Sequence, residues 1–174
     1  MPGPNKMILE EITLVEGWPI VDLKTGANSG DYVSMKEYGR VLIVLAASAG
    51  AAGEPPTIAF AQATDVAGTS SKALTITGTG YSKSAATDLS GTGNFTATAI
   101  TAASTFSADT DGSKDKLWCV EIRSTQLDVN NGFDCIRATV ADVGATAQLG
   151  YLLYILGEPR DPRSPDNMMS AIVN

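Results

Sequence analysis

The side chains that most often transfer protons and bind metals are nearly missing from this sequence. Its 174 residues include no histidine and only two cysteines, Cys119 and Cys135. Histidine titrates near neutrality and is the commonest metal ligand, so its absence removes most standard catalytic arrangements. Serines are plentiful, but none lies in a Gly-x-Ser-x-Gly motif that would mark a nucleophile. The sequence therefore predicts a protein that is not an enzyme and that needs no cofactor.

Two short patterns resemble ligand-binding loops without completing them. Residues 109–115 resemble a calcium loop, but such a loop needs glycine at position six and glutamate at position twelve. Here Gly112 is fourth and Val120 is twelfth, so we predict a polar hairpin loop and no metal site. The glycine pairs at 78–80 and 91–93 lack the Gly-Lys-Ser/Thr ending of a phosphate-binding loop, and we predict flexible turns there.

Charge and hydropathy exclude several partners. The net charge is −7 and the sequence pI is about 4.5, which disfavours binding to nucleic acid or to anionic membranes. The longest apolar run, residues 41–52, is too short to span a bilayer, and the first residues lack the pattern of a signal peptide. We therefore expect a chain made in a reducing cytoplasm, with Cys119 and Cys135 as buried free thiols; a disulfide between neighbouring strands is the alternative.

The elements that would carry any binding surface are mainly strands. Residues 117–123, 133–140 and 149–156 are rich in apolar and β-branched residues, and Asn130-Asn131-Gly132 is a typical hairpin turn. Residues 7–15 are compatible with a short helix or, preferably, a strand that ends at Trp18-Pro19. Residues 41–45 are apolar at every position, which predicts burial on both faces or a second subunit on one face. We predict a mainly β protein, a single-domain antiparallel β-sandwich or barrel with extended terminal arms.

The two ends of the chain provide the candidate partner-binding residues. We predict an N-terminal arm over residues 1–6, a β-rich domain over 7–157 and a proline-rich C-terminal arm over 158–174. Several large apolar side chains follow the prolines, and we expect them to dock on the domain's own core or on a neighbour. Two arginines of the arm either keep the tail solvated or pair with carboxylates of a partner chain. The candidate interface residues are Pro159, Arg160, Pro162, Arg163, Met168, Met169 and Ile172, and secondarily Met7, Ile8 and Leu9.

Three stretches, residues 30–41, 62–74 and 128–137 continuing to 156–160, resemble small virion structural proteins of tailed bacteriophages, of the head decoration or cement kind. The resemblance implies a non-enzymatic subunit on the capsid surface. Such a protein binds the major capsid protein, bridges neighbouring capsid subunits and stabilises the assembled head. Because both faces of two strands are apolar, we also expect self-association, most plausibly as a trimer or a larger ring.

Two other functions remain open. The chain could be a tail or head–tail joining protein, which would form rings. It could also be a carbohydrate-binding β-sandwich on the virion surface, which would need exposed aromatic side chains. Tyr32, Tyr38 and Tyr81 are the candidates for that role.

Overall fold

The computed structural model describes residues 7–86, 89–91, 93–108, 110–161 and 167–172. The N-terminal arm over residues 1–6 and the candidate residues Pro162 and Arg163 lie outside these ranges. The described chain forms twelve strands and four short 3-10 turns, and it contains no α-helix. The strands are β1 (Ile12–Asp22), β2 (Asn28–Ser29), β3 (Val33–Ser34), β4 (Tyr38–Ala47), β5 (Ile58–Ala63), β6 (Lys72–Ala73), β7 (Ile76–Ala85), β8 (Thr96–Ala103), β9 (Thr105–Phe106), β10 (Asp115–Arg123), β11 (Cys135–Val140) and β12 (Leu149–Pro159).

Two antiparallel sheets form the domain. Sheet A has the order β1-β12-β4-β10-β7-β8, and sheet B has the order β2-β11-β5-β6, with β3 paired to β11 and β9 paired to β5. Because side chains alternate along a strand, each sheet turns one apolar set inward. In β4 that set is Val41, Ile43 and Leu45, all fully buried, and the core continues through Trp118 of β10. The prediction of a mainly β, antiparallel sandwich is confirmed.

Strand β1 continues through Trp18-Pro19, where the sequence predicted a break. Among the described strands it pairs only with β12, and its register shifts between Glu16 and Trp18 and again between Trp18 and Val21. Proline has no N–H to donate to a neighbouring strand. It is tolerated there because one side of an edge strand faces no other strand, so no hydrogen bond between strands is lost. The bulges keep Trp18 buried in the core.

The Asn130-Asn131-Gly132 turn does not form the predicted hairpin. Residues Val129–Asn131 form a 3-10 turn, and Gly132 follows at φ 81° in the left-handed region that glycine favours. However, β10 belongs to sheet A and β11 to sheet B, so the chain crosses between the sheets here. The predicted turn at 78–80 is also wrong, because Gly78 and Gly80 lie inside β7.

The described parts of the C-terminal arm both contact the domain. Strand β12 runs on to Pro159, which pairs with Tyr38 of β4, two residues beyond the predicted boundary. Its proline is acceptable because the pairing of β12 with β1 ends earlier, at Gly157, so no strand on that side needs its N–H. Residues 167–172 return to the domain, and Ala171 belongs to its buried core.

The connection that follows β1 is held by a carboxylate. Oδ1 of Asp22 accepts hydrogen bonds from the backbone N–H groups of Gln148, at 2.9 Å, and Lys24, at 3.1 Å. These bonds, the one from Gln148 first, hold the pKa of Asp22 below its ordinary value. The carboxylate thereby fixes the end of β1 against the start of β12.

The two cysteines are free thiols, as predicted, and the structure separates them. Cys119 lies half-buried in β10 of sheet A, while Cys135 is fully buried in β11 of sheet B. Burial raises the pKa of Cys119. Burial, followed by the hydrogen bond to Asp134, raises the pKa of Cys135 to about 12.

Candidate functional site

An open groove forms where the C-terminal segment 167–172 lies beside β1. The backbone N–H of Ser34 donates to the Ala171 carbonyl at 2.7 Å, and the Tyr38 hydroxyl donates to the Met169 carbonyl. Ala171 is 2% exposed, so its methyl group and these two hydrogen bonds fix the segment to the domain. The hydroxyl of Tyr38 also contacts Oγ1 of Thr13 in β1, at 2.9 Å, which ties the segment to the groove's other wall.

We call this feature the terminal groove. It encloses about 710 Å³, and its apolar lining comes from both ends of the chain: Leu9, Ile12, Leu14, Val15, Met168, Met169, Ala171 and Ile172. Three of these large side chains stay unusually accessible, because Leu9 is 49%, Leu14 50% and Ile172 57% exposed. Glu16 and Asp31 also line the groove, so its walls combine apolar surface with negative charge.

The structure brings together residues that the sequence placed about 160 positions apart. Leu9, Met168, Met169 and Ile172 all line the terminal groove. Met7 and Ile8 precede Leu9 at a 3-10 turn, Ile8–Glu10, and are 61% and 74% exposed. Candidate residues from the start of the predicted β-rich domain and from the predicted C-terminal arm therefore lie on one surface.

The other described candidates lie elsewhere. Pro159 ends β12, and the backbone N–H of Arg160 donates to the Glu37 carbonyl at 2.9 Å. The exposed Arg160 lines a smaller cavity of about 220 Å³ together with Met35, Leu127 and Asp134. It is therefore not part of the terminal groove.

A second surface is the outward side of sheet A. Residues of β4 alternate between fully buried and half-buried, so the strand predicted to be apolar on both faces has an inner and an outer apolar set. The register aligns the outer set of four neighbouring strands in rows. We call these side chains the apolar outer face: Leu42, Val44, Ala46, Tyr81, Leu117, Cys119, Tyr151, Leu153 and Ile155. The sequence contains a signal for this face, because β10 and β12, like β4, have apolar residues at both odd-numbered and even-numbered positions.

The three tyrosines considered for sugar binding differ in exposure. Tyr32 is 5% exposed and Tyr38 is fully buried, so two of the three candidates are inaccessible. Tyr81 is 44% exposed and packs edge-to-face with Phe95, with ring centroids 6.5 Å apart. Nζ of Lys83 lies 4.6 Å from the Phe95 centroid, so one ring face is already covered by a cation.

The calcium-like segment is a loop held by a buried lysine. Nζ of the fully buried Lys116 donates to the carbonyls of Gly112, at 3.0 Å, and Lys114. Oδ1 of Asp111 accepts from the backbone N–H and hydroxyl of Ser113. Across the described ranges, no three His, Cys, Asp or Glu side chains are grouped as metal ligands. No helix there is long and apolar enough to cross a bilayer.

Comparison with known proteins returns one distant structural likeness. No protein-family model matches the chain, and no curated protein is similar to it in sequence. The crystal structure of SPBc2 prophage-derived protein YomS is similar with a TM-score of 0.43 and 14% sequence identity. The similarity covers 85% of this chain and 94% of that one.

Proposed function

We propose that this chain is a non-enzymatic structural subunit of a tailed-phage virion: a capsid decoration or cement protein. It binds the major capsid protein and other copies of itself, on the outer surface of the assembled head. The observation that carries the proposal is the terminal groove, where apolar residues from both ends of the chain converge and stay open to a partner. The sequence resemblance to head decoration proteins supplies the identity of that partner.

The groove is suited to bind a protein segment with apolar and basic side chains. Burying a large apolar side chain fully contributes about 1.5–3 kcal/mol. Leu9, Leu14 and Ile172 are each about half exposed, so covering them contributes about 1 kcal/mol apiece. Glu16 and Asp31 favour a partner that carries lysine or arginine.

Stabilisation of the head then needs binding energy alone. A subunit that binds the assembled lattice and not the separated capsid proteins stabilises the lattice by mass action. Contacts with two neighbouring capsid subunits add avidity, so each individual contact can be modest. This mechanism requires no nucleophile, metal or cofactor, in agreement with a sequence that lacks histidine.

The test is binding of the purified protein to phage heads from which it is absent. Wild-type protein should co-sediment with the heads, and Ile172→Asp should weaken binding at least tenfold because it places a carboxylate in an acidic, apolar groove. Val129→Asp is the matched control, since Val129 is also apolar and 53% exposed but does not line the groove. Thermal melting of both variants checks that they remain folded.

Each outcome bears on the proposal. Selective loss of head binding in Ile172→Asp supports it. If Ile172→Asp binds heads as tightly as Val129→Asp does, the terminal groove is not part of the interface. Binding to tails or connectors but not to heads would identify a tail or head–tail joining protein instead.

A further inference from the structure

The apolar outer face is a continuous, uncharged centre on sheet A. One row runs Leu153–Val44–Cys119–Tyr81 across four strands, and the next runs Tyr151–Ala46–Leu117. No charged side chain lies within either run of residues. Ile155 and Leu42 make a shorter third row, which meets Glu121 of β10. With strands about 4.8 Å apart and same-face residues about 6.8 Å apart, the nine side chains cover roughly 300 Å².

That area is less than half of what one partner contributes to a standard protein interface, roughly 800 Å². Apolar side chains at the rim of sheet A supply additional area: Ile20 is 71%, Leu149 54% and Phe95 44% exposed. Ile20 and Leu149 lie together in an open pocket with Tyr151 of the outer face. These rim side chains extend the apolar surface that a two-fold pair would bury.

Charges of opposite sign flank this uncharged centre at opposite ends. Glu16 of β1 is in register with Leu153 at one end of the sheet. Lys83 of β7 is in register with Leu117 at the other end. The strand order β1-β12-β4-β10-β7-β8 places the midpoint of the sheet between β4 and β10.

We propose that two copies of this chain pack through their apolar outer faces, related by a two-fold axis that runs along the strands between β4 and β10. Such an axis exchanges the two ends of sheet A, so Glu16 of one copy lies near Lys83 of the other. A two-fold axis across the strands would instead place Glu16 near its own equivalent. For copies that each carry a charge of −7, the first arrangement reduces repulsion. The inference rests on the self-association in the proposed function and names its surface.

The geometry puts a natural reporter at the interface. Cys119 lies in the central row beside Val44 and is half-buried, whereas Cys135 is fully buried in sheet B. Pairing of two outer faces covers Cys119 further. Its labelling by iodoacetamide should therefore slow as the protein concentration rises.

The test measures molar mass by light scattering over a range of concentrations, together with Cys119 labelling. Wild type should approach twice the monomer mass, and Val44→Glu should raise the dissociation constant at least tenfold. Glu16→Lys and Lys83→Glu should each weaken association, and the double exchange should restore it. The matched control is Val129→Glu, because Val129 is apolar, 53% exposed and lies in the 3-10 turn Val129–Asn131, away from the outer face.

The results separate this inference from the proposed function. A wild-type monomer or trimer overturns the two-fold pairing, as does a dimer that Val129→Glu disrupts and Val44→Glu does not. Failure of the double exchange to restore association overturns the orientation of the axis. Head binding is measured separately. If it fails while the dimer forms, attachment to the capsid is refuted and this pairing stands; if it persists in a wild-type monomer, this pairing and the self-association are refuted and attachment to the capsid stands.

Discussion

Replacing Gly80 by alanine tests the packing of sheet A on sheet B at one atom. Gly80 lies in β7, and a Cβ there would be 2.1 Å from Cε2 and 2.3 Å from Cζ of the Phe106 ring. Phe106 belongs to β9 of sheet B, is 3% exposed and packs edge-to-face on Trp118, with centroids 5.9 Å apart. The ring is confined on several sides, so it must shift by about 1 Å or more to reach ordinary contact distance.

Overpacking of this kind costs about 1–3 kcal/mol. Gly78→Ala is the matched control, because Gly78 lies two residues earlier in the same strand and a Cβ there meets nothing within 4 Å. Any gain from restricting the unfolded chain, about 0.4–1 kcal/mol, applies to both variants. For a domain of this length we expect Gly80→Ala to melt lower than Gly78→Ala, by about 2–4 °C for each kcal/mol.

The assay is urea denaturation and thermal melting followed by circular dichroism. The double variant Gly80→Ala/Phe106→Leu should lose less free energy of unfolding than the two single variants lose in sum, because the smaller leucine side chain relieves the contact with the added methyl group. Equal stability of the two glycine variants would refute the arrangement of β9 against β7. Strictly additive costs would refute a direct contact between Gly80 and Phe106.

Three further predictions follow from individual side chains. In the native protein, a thiol reagent should modify Cys119 and leave Cys135 intact, as mass spectrometry of peptides would show; modification of both at equal rates contradicts their different burial. Tyr154→Phe should lower the free energy of unfolding by about 1–3 kcal/mol, since the buried hydroxyl accepts the Ala138 N–H at 2.9 Å, and an unchanged urea midpoint would count against this bond. The lowered pKa of Asp22 stabilises the folded protein at pH values above the pKa of Asp22 in the unfolded chain, and this stabilisation is lost as the pH falls through the pKa in the folded protein. Between neutral pH and values below about pH 4, the free energy of unfolding of Asp22→Asn should therefore fall less than that of the wild type.

The sequence predicted the strand content well because alternation is a local signal. Residues 117–123 and 149–156 fall in β10 and β12, and their inward side chains fill the core. The failures involve long-range pairing. Pro19 looks like a strand break until β1 is known to be an edge strand, and Asn130-Asn131-Gly132 predicts a hairpin until its flanking strands are assigned to different sheets.

The sequence predicts several of the apolar residues that line the terminal groove but not their arrangement in space. Sequence alone favours Met168, Met169 and Ile172 as interface residues, because large apolar residues have little use in a solvated tail. Only the structure shows that Leu9 joins them, since that depends on the hydrogen bonds that hold the C-terminal segment near β1. The involvement of Leu14 had no sequence signal, because an outward residue of an edge strand looks like any strand residue.

The most direct test of the proposed function is the position of this protein in density from electron cryomicroscopy of the purified virion. We expect many copies on the outer surface of the head, each with its terminal groove on the major capsid protein and its net negative surface away from the packaged DNA. Density for the protein in the tail or connector, or its absence from the virion, would contradict a role on the head.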